Sequence, residues 1–319
     1  MKQLTMPTKT FTFATLAALT LALQAGTAGA AAAPAAKPAP YAAAASAGAV
    51  NSAASNQIFN KYITLLQVKG QLPRAIAFLD THIDEVSAYQ ASIMVLRLEN
   101  AIVAGLPSFE SGIAKPSIQT GINKVYKWKD SFADIISKTK DKKLKALLQE
   151  ADNNGLKLET AEGFYFPVVD YKGFQKYRAY VGADVKAYID IMTVEAEEPK
   201  VKDAGLMIGY QEIANRTLSQ ERFVKQFPSS NRAAKIKNLL HSYKILTFYG
   251  VNNSPLFDYD NNKMQPNAIK GYNMILERNK GTKSEYLFLL QQFMDLAKAH
   301  DYKLTDEVTA FRKAKLPIQ

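Results

Sequence analysis

The stretch 91-ASIMVLRLENAIVAGL-106 decides the fold, because it is apolar nearly all the way around a helix. Such a helix has to be enclosed by other parts of the chain. We therefore expect a central, mostly buried helix with further helices packed around it. Its polar residues Arg97, Glu99 and Asn100 then need partners, since burying an unpaired polar group is costly. We favour the interpretation that these three residues form a polar rim at the helix end, with their hydrogen bonds satisfied, over the interpretation that they have a functional role.

Residues 229–250 show the same helical character on one face only. Their apolar side chains recur at the spacing of an amphipathic helix, with Ser229 or Ser230 placed to cap its start and Gly250 placed to end it. The buried stripe is predicted to consist of Ile236, Leu239, Leu240, Tyr243 and Leu246.

Two further segments repeat this helical pattern. In residues 282–300, Thr282 and Glu285 stand at the spacing of a capping box. A shorter amphipathic run ends before Asn154 and Gly155. The predicted buried stripes are Tyr286, Leu290, Phe293 and Ala297 in the first segment, and Leu144, Leu147, Leu148 and Ala151 in the second.

The segment 162-EGFYFPVVDYKGFQKY-177 departs from this helical pattern. Its apolar residues alternate with period two, as does the preceding LKLET run, so residues 156–169 are predicted to form a hairpin that turns at residues 161–163. Pro167 confines its strand to an edge, and Asp170 stands where the next helix would be capped. The sequence thus predicts an all-α, multi-helix array with one short β-hairpin that covers one end of the helical core.

Residues 1–30 have the order of a secretory signal peptide: a charged start, an apolar run of about a dozen residues, and small residues at Ala28-Gly29-Ala30. The apolar run is shorter than the ~20 residues of a spanning helix, although an uncleaved N-terminal anchor stays an alternative. No other segment is expected to approach spanning length, so we expect no transmembrane span after cleavage. The predicted location is secreted or attached to the cell envelope.

The remaining chain divides into a spacer and a folded region. Residues 31–55 are rich in alanine and proline and are predicted to be a disordered spacer. Residues 56–319 are predicted to form a helical domain, either whole or as two lobes, 56–155 and 156–319. Prolines cut this region at intervals that resemble helical repeats without a repeated motif, at Pro73, Pro107, Pro167, Pro199, Pro228 and Pro255.

The composition excludes several chemistries. The chain has no cysteine, which rules out thiolate enzymes, disulfides and cysteine-bound zinc. It has three histidines, none at zinc-ligand spacing with another histidine or an acid, and neither a Gly-x-Ser-x-Gly motif nor a glycine-rich phosphate loop. We therefore expect no metal and no cofactor.

A calcium loop is the one metal site that deserves testing. Asp258, Asp260 and Asn262 have the spacing of the first three ligands of an EF-hand, but the glycine and the closing glutamate of that loop are absent. A looser oxygen cage with Asn252 or Asn253 stays an alternative. The favoured interpretation is an Asx-rich loop that hydrogen-bonds its own backbone.

Two segments share an Asp-Tyr pair after apolar residues, 162–177 and 252–262. If the fold brings them together, they form an aromatic, acidic cleft suited to sugars or peptides. The cleft residues would be Tyr165, Asp170, Tyr171, Asp258 and Tyr259. The alternative function is therefore a carboxylate-dependent hydrolase of cell-wall glycan, with catalytic candidates Glu162, Asp170, Asp258 and Asp260.

The charge distribution carries the main functional hypothesis. The chain has a formal net charge of +11, and residues 113–145 hold nine lysines against three aspartates. A solvated face and a binding surface for an anionic wall polymer or membrane both explain this block. The candidate binding residues are Lys124, Lys127, Lys129, Lys138, Lys140, Lys142, Lys143 and Lys145.

These patterns favour a non-catalytic, exported protein of the cell envelope that binds or scaffolds an anionic surface. A nucleic-acid partner is not expected, because wall polymers and lipid head groups are the anions met first outside a cell. The glycan hydrolase is the second hypothesis.

Overall fold

The computed structural model describes residues 52–317. The predicted signal peptide, residues 1–30, lies outside the described residues, and so do residues 31–51 of the predicted spacer. The first helix begins at Ser52, within the last four residues of that spacer.

Helices make up most of the described chain, which confirms the predicted mostly α-helical fold with a short hairpin. The α-helices are α1 Ser52–Gln67, α2 Leu72–His82, α3 Ala88–Ile113, α4 Pro116–Asn123, α5 Phe132–Lys138, α6 Lys142–Asn153, α7 Ala183–Glu197, α8 Tyr210–Gln226, α9 Ala233–Tyr249, α10 Pro266–Arg278, α11 Glu285–Ala299 and α12 Asp306–Lys315. Two 3₁₀-helices span Ile83–Glu85 and Tyr171–Tyr177. The strands form three antiparallel pairs, β1 Leu156–Ala161 with β2 Phe164–Val169, β3 Val201–Lys202 with β4 Gly205–Leu206, and β5 Gly250–Val251 with β6 Ser254–Pro255.

Helix α3 is the enclosed central helix that the sequence predicts. It begins with a capping box in which Ser87 and Gln90 satisfy each other's backbone N–H groups. It packs against α1, α2 and β2, and most of its apolar side chains from Ala91 to Ile102 are buried. Its carboxylate, Glu99, is buried with them at 3% exposure.

The same helix continues through Pro107 to Ile113, where the sequence placed a break. Pro107 lies on the exposed side of the helix, beside the exposed Val103, whose carbonyl loses its usual N–H donor there. Within residues 52–317, α3 is the one helix long and apolar enough to cross a membrane, contrary to the expectation that no such segment follows the signal. In this fold, other elements cover its apolar residues from Ala91 to Ile102, whereas Tyr89 and Val103 are exposed.

The predicted hairpin is present at residues 156–169, with the turn at Glu162 and Gly163. Both turn residues have positive φ, 50° and 74°, which is the backbone of a tight type I′ turn. Tyr165, Pro167 and Val169 point inward, and Pro167 tolerates its missing N–H because a two-stranded sheet consists of edges.

The sequence did not predict two small hairpins, which lie at residues 201–206 and 250–255. Each strand has two residues, too few to show an alternating pattern. The two hairpins hold each other, because Asn253 donates its backbone N–H to Ala204 O at 2.9 Å and its side-chain amide to Asp203 O at 2.7 Å. Gly250 adopts φ 71°, and a Cβ there would lie 2.3 Å from a backbone oxygen, so only glycine fits.

Two predicted caps are wrong, although the helices and their buried stripes are confirmed. Helix α11 begins after Ser284, which accepts the Leu287 N–H, and not at Thr282. Helix α9 begins after Arg232, which has no capping side chain. Ser230, two residues earlier, accepts the Arg232 N–H and donates to Asp184, so it lies outside the cap position and joins the helix start to α7.

The buried apolar residues form two clusters. The first core is built from elements between α1 and α7, together with residues of α8 and α9. The second core is built from α8 to α12 and the hairpin β5–β6. Helices α8 and α9 contribute to both, and the predicted division into lobes at residue 155 stays a prediction.

Candidate anionic-surface interface

The lysines of residues 113–145 lie on both sides of α4, in the loop 124–131 that joins α4 to α5, at the end of α5, between α5 and α6, and on α6. Helix α6 fixes the direction of its own lysines, because Leu144 and Leu148 are fully buried in the first core. Asp141 starts this helix by accepting two backbone N–H groups of its first turn, at 2.8 and 3.1 Å. The buried stripe therefore turns the lysines outward, as predicted.

The acidic residues of this block are used locally. Asp130 accepts the Lys127 N–H at 2.7 Å and the Lys138 ammonium at 2.6 Å. These hydrogen bonds, that of Lys138 first, lower the pKa of Asp130. Asp134 forms a capping box with Ser131, which lowers its pKa too. With Asp141 at the start of α6, none of the three aspartates is left to neutralise the other lysines.

We call the candidate lysines the lysine surface, and most of them have no partner. Among residues 52–317, Lys138 alone of the nine lysines in the block forms an ion pair. The members of the lysine surface are Lys124, Lys127, Lys129, Lys138, Lys140, Lys142, Lys143 and Lys145. All are exposed except Lys145, which is half-buried.

Two of these lysines occupy an unfavourable place for helix stability. Lys142 and Lys143 are in the first turn of α6, which contains no acidic residue. The positive end of the helix dipole lies there, so cations weaken the helix by a few tenths of a kcal/mol or more. The fold gains no contact from either side chain that would offset this cost.

Trp128 was not assigned a role by the sequence, yet it lies within the lysine surface. It is the chain's one tryptophan, and 72% of it is exposed. Tryptophan side chains are normally mostly buried. The stretch 124-KVYKWK-129 could have indicated this exposure, because both sequence neighbours of Trp128 are lysines, and neither offers an apolar side chain to cover the indole.

A second group of charges lies inside the fold, and we call it the Glu99 cluster. Its members are Glu99, Tyr171, Tyr188, Arg232 and Lys235. Glu99 Oε1 accepts the hydroxyls of Tyr171, at 2.6 Å, and Tyr188, and also the Lys235 ammonium at 2.8 Å. Arg232 donates its Nε–H to Glu99 Oε2 at 2.9 Å, and its Nη2 forms an ion pair with the same oxygen at 2.8 Å. Both carboxylate oxygens are thus fully occupied.

The electrostatics of this cluster favour the ionised carboxylate. Burial by itself would raise the pKa of Glu99, but the charges of Lys235 and Arg232 outweigh it, so the pKa lies below its ordinary value. Burial, and then the negative neighbour, raise the pKa values of Tyr171 and Tyr188 well above 10. The tyrosines stay protonated donors, and the cluster joins α3, the second 3₁₀-helix, α7 and α9.

This cluster corrects the expectation for the polar residues of α3. Glu99 is a buried centre of hydrogen bonds at mid-helix and not part of a rim at the helix end. Asn100 is exposed and accepts from Arg232 at 2.7 Å, while Arg97 is exposed. The partners of Glu99 come from residues 72 to 136 positions further along the chain, which no local pattern predicts.

The residues of the predicted cleft are placed in different surroundings. Tyr171 belongs to the Glu99 cluster, and Tyr165 is buried with its hydroxyl on Asn123. Tyr259 is 71% exposed and donates to Asn252 O. Among the described residues, no hydrogen bond, ion pair or ring contact joins segment 162–177 to segment 252–262.

The carboxylates proposed for catalysis are also separated. Glu162 is exposed in the hairpin turn, and Asp260 is exposed in its loop. Asp258 accepts the N–H groups of Asp260 and Asn261, which confirms the loop that hydrogen-bonds its own backbone. Asp170 caps the second 3₁₀-helix, as the sequence predicted, by accepting the Lys172 N–H at 3.1 Å.

Asp170 also lines a cavity of about 350 Å³. A second carboxyl group, Asp152, lines the same cavity, and burial followed by the charge of Asp170 raises its pKa. A different cavity, of about 380 Å³, lies between α7 and α8 and is lined by Arg216 and its partner Glu212. Within residues 52–317, no group of three or more histidine, aspartate or glutamate side chains is placed to hold a metal ion.

Comparisons with known proteins add no assignment to this geometry. No protein-family model, curated protein or solved structure matches the chain. We therefore infer a function from the residues of the chain and their contacts.

Proposed function

We propose that this is an exported, non-catalytic protein of the cell envelope, which binds an anionic surface through the lysine surface. The observation that carries the proposal is that eight of the nine lysines in residues 113–145 lack an ion-pair partner among the described residues, while the three aspartates nearby are bound to local groups. Export rests on the signal-like order of residues 1–30.

The arrangement suits attachment without a pocket. Each lysine near an anionic surface contributes about 1 kcal/mol at low salt. Six exposed, unpaired lysines would then give roughly micromolar to millimolar attachment. Because these charges are solvated, screening over ~8 Å at physiological ionic strength makes the attachment strongly dependent on salt.

Sedimentation with anionic polymer or anionic vesicles tests the proposal. The wild-type protein should pellet at low salt and stay in solution at high salt. Changing the exposed and unpaired members of the lysine surface to glutamine should abolish pelleting. These are Lys124, Lys127, Lys129, Lys140, Lys142 and Lys143.

A matched control removes the same charge from the second half of the chain. Six other exposed lysines without an ion pair can be changed to glutamine, namely Lys270, Lys283, Lys298, Lys303, Lys313 and Lys315. This control variant should bind as the wild type does. Equal loss in both variants, or pelleting that survives both salt and the first variant, would refute a dedicated lysine surface.

The predicted export has its own test. Mass spectrometry of the protein recovered from outside the cytoplasm should find an N-terminus between about Ala28 and Ala36. A cytoplasmic protein that keeps Met1 would contradict it.

One cavity favours a second candidate function, the hydrolysis of cell-wall glycan. Asp152, with its raised pKa, and Asp170 line the same cavity, as the two carboxyl groups of a glycosidase do. Asp152 would then replace Glu162 among the catalytic candidates. Release of reducing ends from cell-wall glycan should be lost in Asp170→Asn, since asparagine can still cap the 3₁₀-helix. No release by the wild type would exclude this candidate.

A further inference from the structure

We infer that the lysine surface binds the head-group region of an anionic lipid bilayer, with Trp128 inserted between the lipids. This inference rests on the proposed function and names its partner. The decisive feature is the exposed indole of Trp128, which lies in a segment whose lysines mostly have no ion-pair partner.

The loop holds Trp128 outward by hydrogen bonds on both sides of it. The Lys127 N–H donates to Asp130 Oδ2 at 2.7 Å, and the Lys129 N–H donates to the Tyr126 hydroxyl at 3.3 Å. The ring of Tyr126 in turn packs edge-on against the buried Tyr165, with 4.9 Å between ring centroids. The indole is therefore presented by a fixed backbone that is anchored to the first core.

The backbone of the loop adopts an unfavourable conformation at Lys129, the residue that follows Trp128. Lys129 has φ 70°, in the left-handed region that non-glycine residues seldom occupy. Directly after Trp128, this residue reverses the chain so that Asp130 can reach both Lys127 and Lys138. The loop and the end of α5 are thereby joined, which holds the loop that carries Trp128 beside Lys138.

The combination of indole and lysine separates a bilayer from other anionic partners. A hydrated anionic polymer would pair with the lysines but offers no apolar phase to the indole. A bilayer offers both, because tryptophan prefers the boundary between head groups and acyl chains and lysines bind the phosphates above it. A sugar platform would set the ring in a cleft with hydrogen-bonding groups, and Trp128 lines neither of the two cavities described above.

The chain provides its own reporter for this inference. Trp128 is the one tryptophan, so all tryptophan fluorescence of the full-length protein comes from the proposed contact. On titration with vesicles of phosphatidylglycerol and phosphatidylcholine, the emission should shift to shorter wavelength. Lipids brominated near the head group should quench it. Vesicles of phosphatidylcholine alone should produce neither effect.

Variants separate the indole from the charges. Trp128→Ala should weaken vesicle binding about tenfold, the loss expected when one large apolar side chain no longer leaves water. Its binding to a soluble polyphosphate should be unchanged. Trp128→Phe should retain most of the vesicle affinity. The matched control Phe288→Ala changes another exposed aromatic residue, 66% exposed on α11, and should change nothing.

The outcomes distinguish this inference from the proposed function. Binding to vesicles with unchanged Trp128 emission, or equal affinity of wild type and Trp128→Ala, would overturn the lipid insertion and leave the lysine surface in place. A shift produced by cell-wall glycan and not by vesicles would also overturn it. Absence of binding to both vesicles and polyphosphate would overturn the proposed function itself.

Discussion

The Glu99 cluster and the lysine surface are two groups of charges that the same chain treats in opposite ways. In the cluster, one carboxylate at 3% exposure accepts hydrogen bonds from two tyrosine hydroxyls, a lysine and an arginine. In the lysine surface, seven of eight lysines have no ion-pair partner among the described residues, and no internal contact explains their number. The charges of the cluster are buried and paired and serve the fold, whereas the unpaired lysines held in one segment support the proposed partner outside the chain.

The Glu99 cluster and the lysine surface also differ in role, because the first supports the stability of the fold and the second is available for binding. The Glu99 cluster joins four elements that are distant in sequence, and its hydrogen-bonding capacity is filled from within. The lysine surface lies on one continuous segment, residues 124–145, whose helices α5 and α6 are already held in place by side-chain caps and by buried apolar residues. Substitutions in the first group should therefore change stability, and substitutions in the second should change binding.

The largest effect is expected for Glu99→Gln. The variant keeps the shape of the side chain but leaves Arg232 and Lys235 facing a neutral group in a buried site. Losing one partner of such a cluster should lower the free energy of unfolding by about 3 kcal/mol. Urea denaturation followed by circular dichroism measures the change.

The control for this variant lies on the same helix. Glu110→Gln alters a half-buried glutamate of α3 that makes no ion pair among the described residues, and it should change stability by less than about 0.5 kcal/mol. The folded fraction of Glu99→Gln should still bind anionic vesicles. A loss of binding by folded Glu99→Gln would break the separation of the two regions.

The pH dependence of stability should follow from the same cluster. Glu99 has a pKa below its ordinary 4.5, so the unfolded chain binds more protons in the range below that value. Its contribution is complete above about pH 4.5 and is lost as the pH falls through the folded-state pKa. The stability difference between wild type and Glu99→Gln should therefore shrink on acidification.

The alkaline side has the opposite sign. The pKa values of Tyr171 and Tyr188 are raised above 10, so their contribution is complete below pH 10 and is lost as the pH rises beyond it. Unfolding measured at several pH values should give the wild type a plateau of stability between these limits. A difference from Glu99→Gln that stays constant down to pH 3 would contradict the assigned charge on Glu99.

The sequence predicted the elements better than the contacts between them. Helix stripes follow from local spacing, and the turn at Glu162 and Gly163 follows from the end of the alternating pattern and from a glycine, which tolerates positive φ. The partners of Glu99 could not be predicted, because Tyr171 and Arg232 approach it through packing of distant elements. The helix start at Ser284 shows the same limit, since two plausible caps, Thr282 and Ser284, stand two residues apart.

The candidate site was predicted in part, for a related reason. The lysine block can be recognised from composition, but composition does not show which lysines form ion pairs. The structure shows that Lys138 is bound to Asp130. Exposure of Trp128 depends on the left-handed turn at Lys129, which no local rule for lysine predicts. The two hairpins at residues 201–206 and 250–255 are too short to give any periodic signal.

A smaller effect should distinguish two neighbouring lysines within the lysine surface. Lys138 is held by Asp130 at 2.6 Å, whereas Lys140 is exposed and unpaired. Lys140→Gln should weaken vesicle binding at low salt about fivefold, the equivalent of one near-surface charge. Replacing the ion pair as a whole, Lys138→Gln together with Asp130→Asn, should weaken it less than about twofold, because the net charge of the surface is then unchanged. Equal losses, measured by vesicle sedimentation, would show that the ion pair does not limit the binding surface.

The smallest effect concerns the stability that the lysine surface costs the fold. Lys142 and Lys143 oppose the helix dipole in the first turn of α6, so changing both to glutamine should raise the free energy of unfolding by about 0.5 kcal/mol while weakening vesicle binding. The matched pair Lys313 and Lys315 lies in the last turn of α12, where the dipole favours cations. The same change there should lower stability slightly and leave binding unaltered. Opposite signs in stability, with binding lost in one pair alone, would show that α6 carries its lysines against its own stability for an external partner. Identical signs would instead make the block an ordinary solvated face.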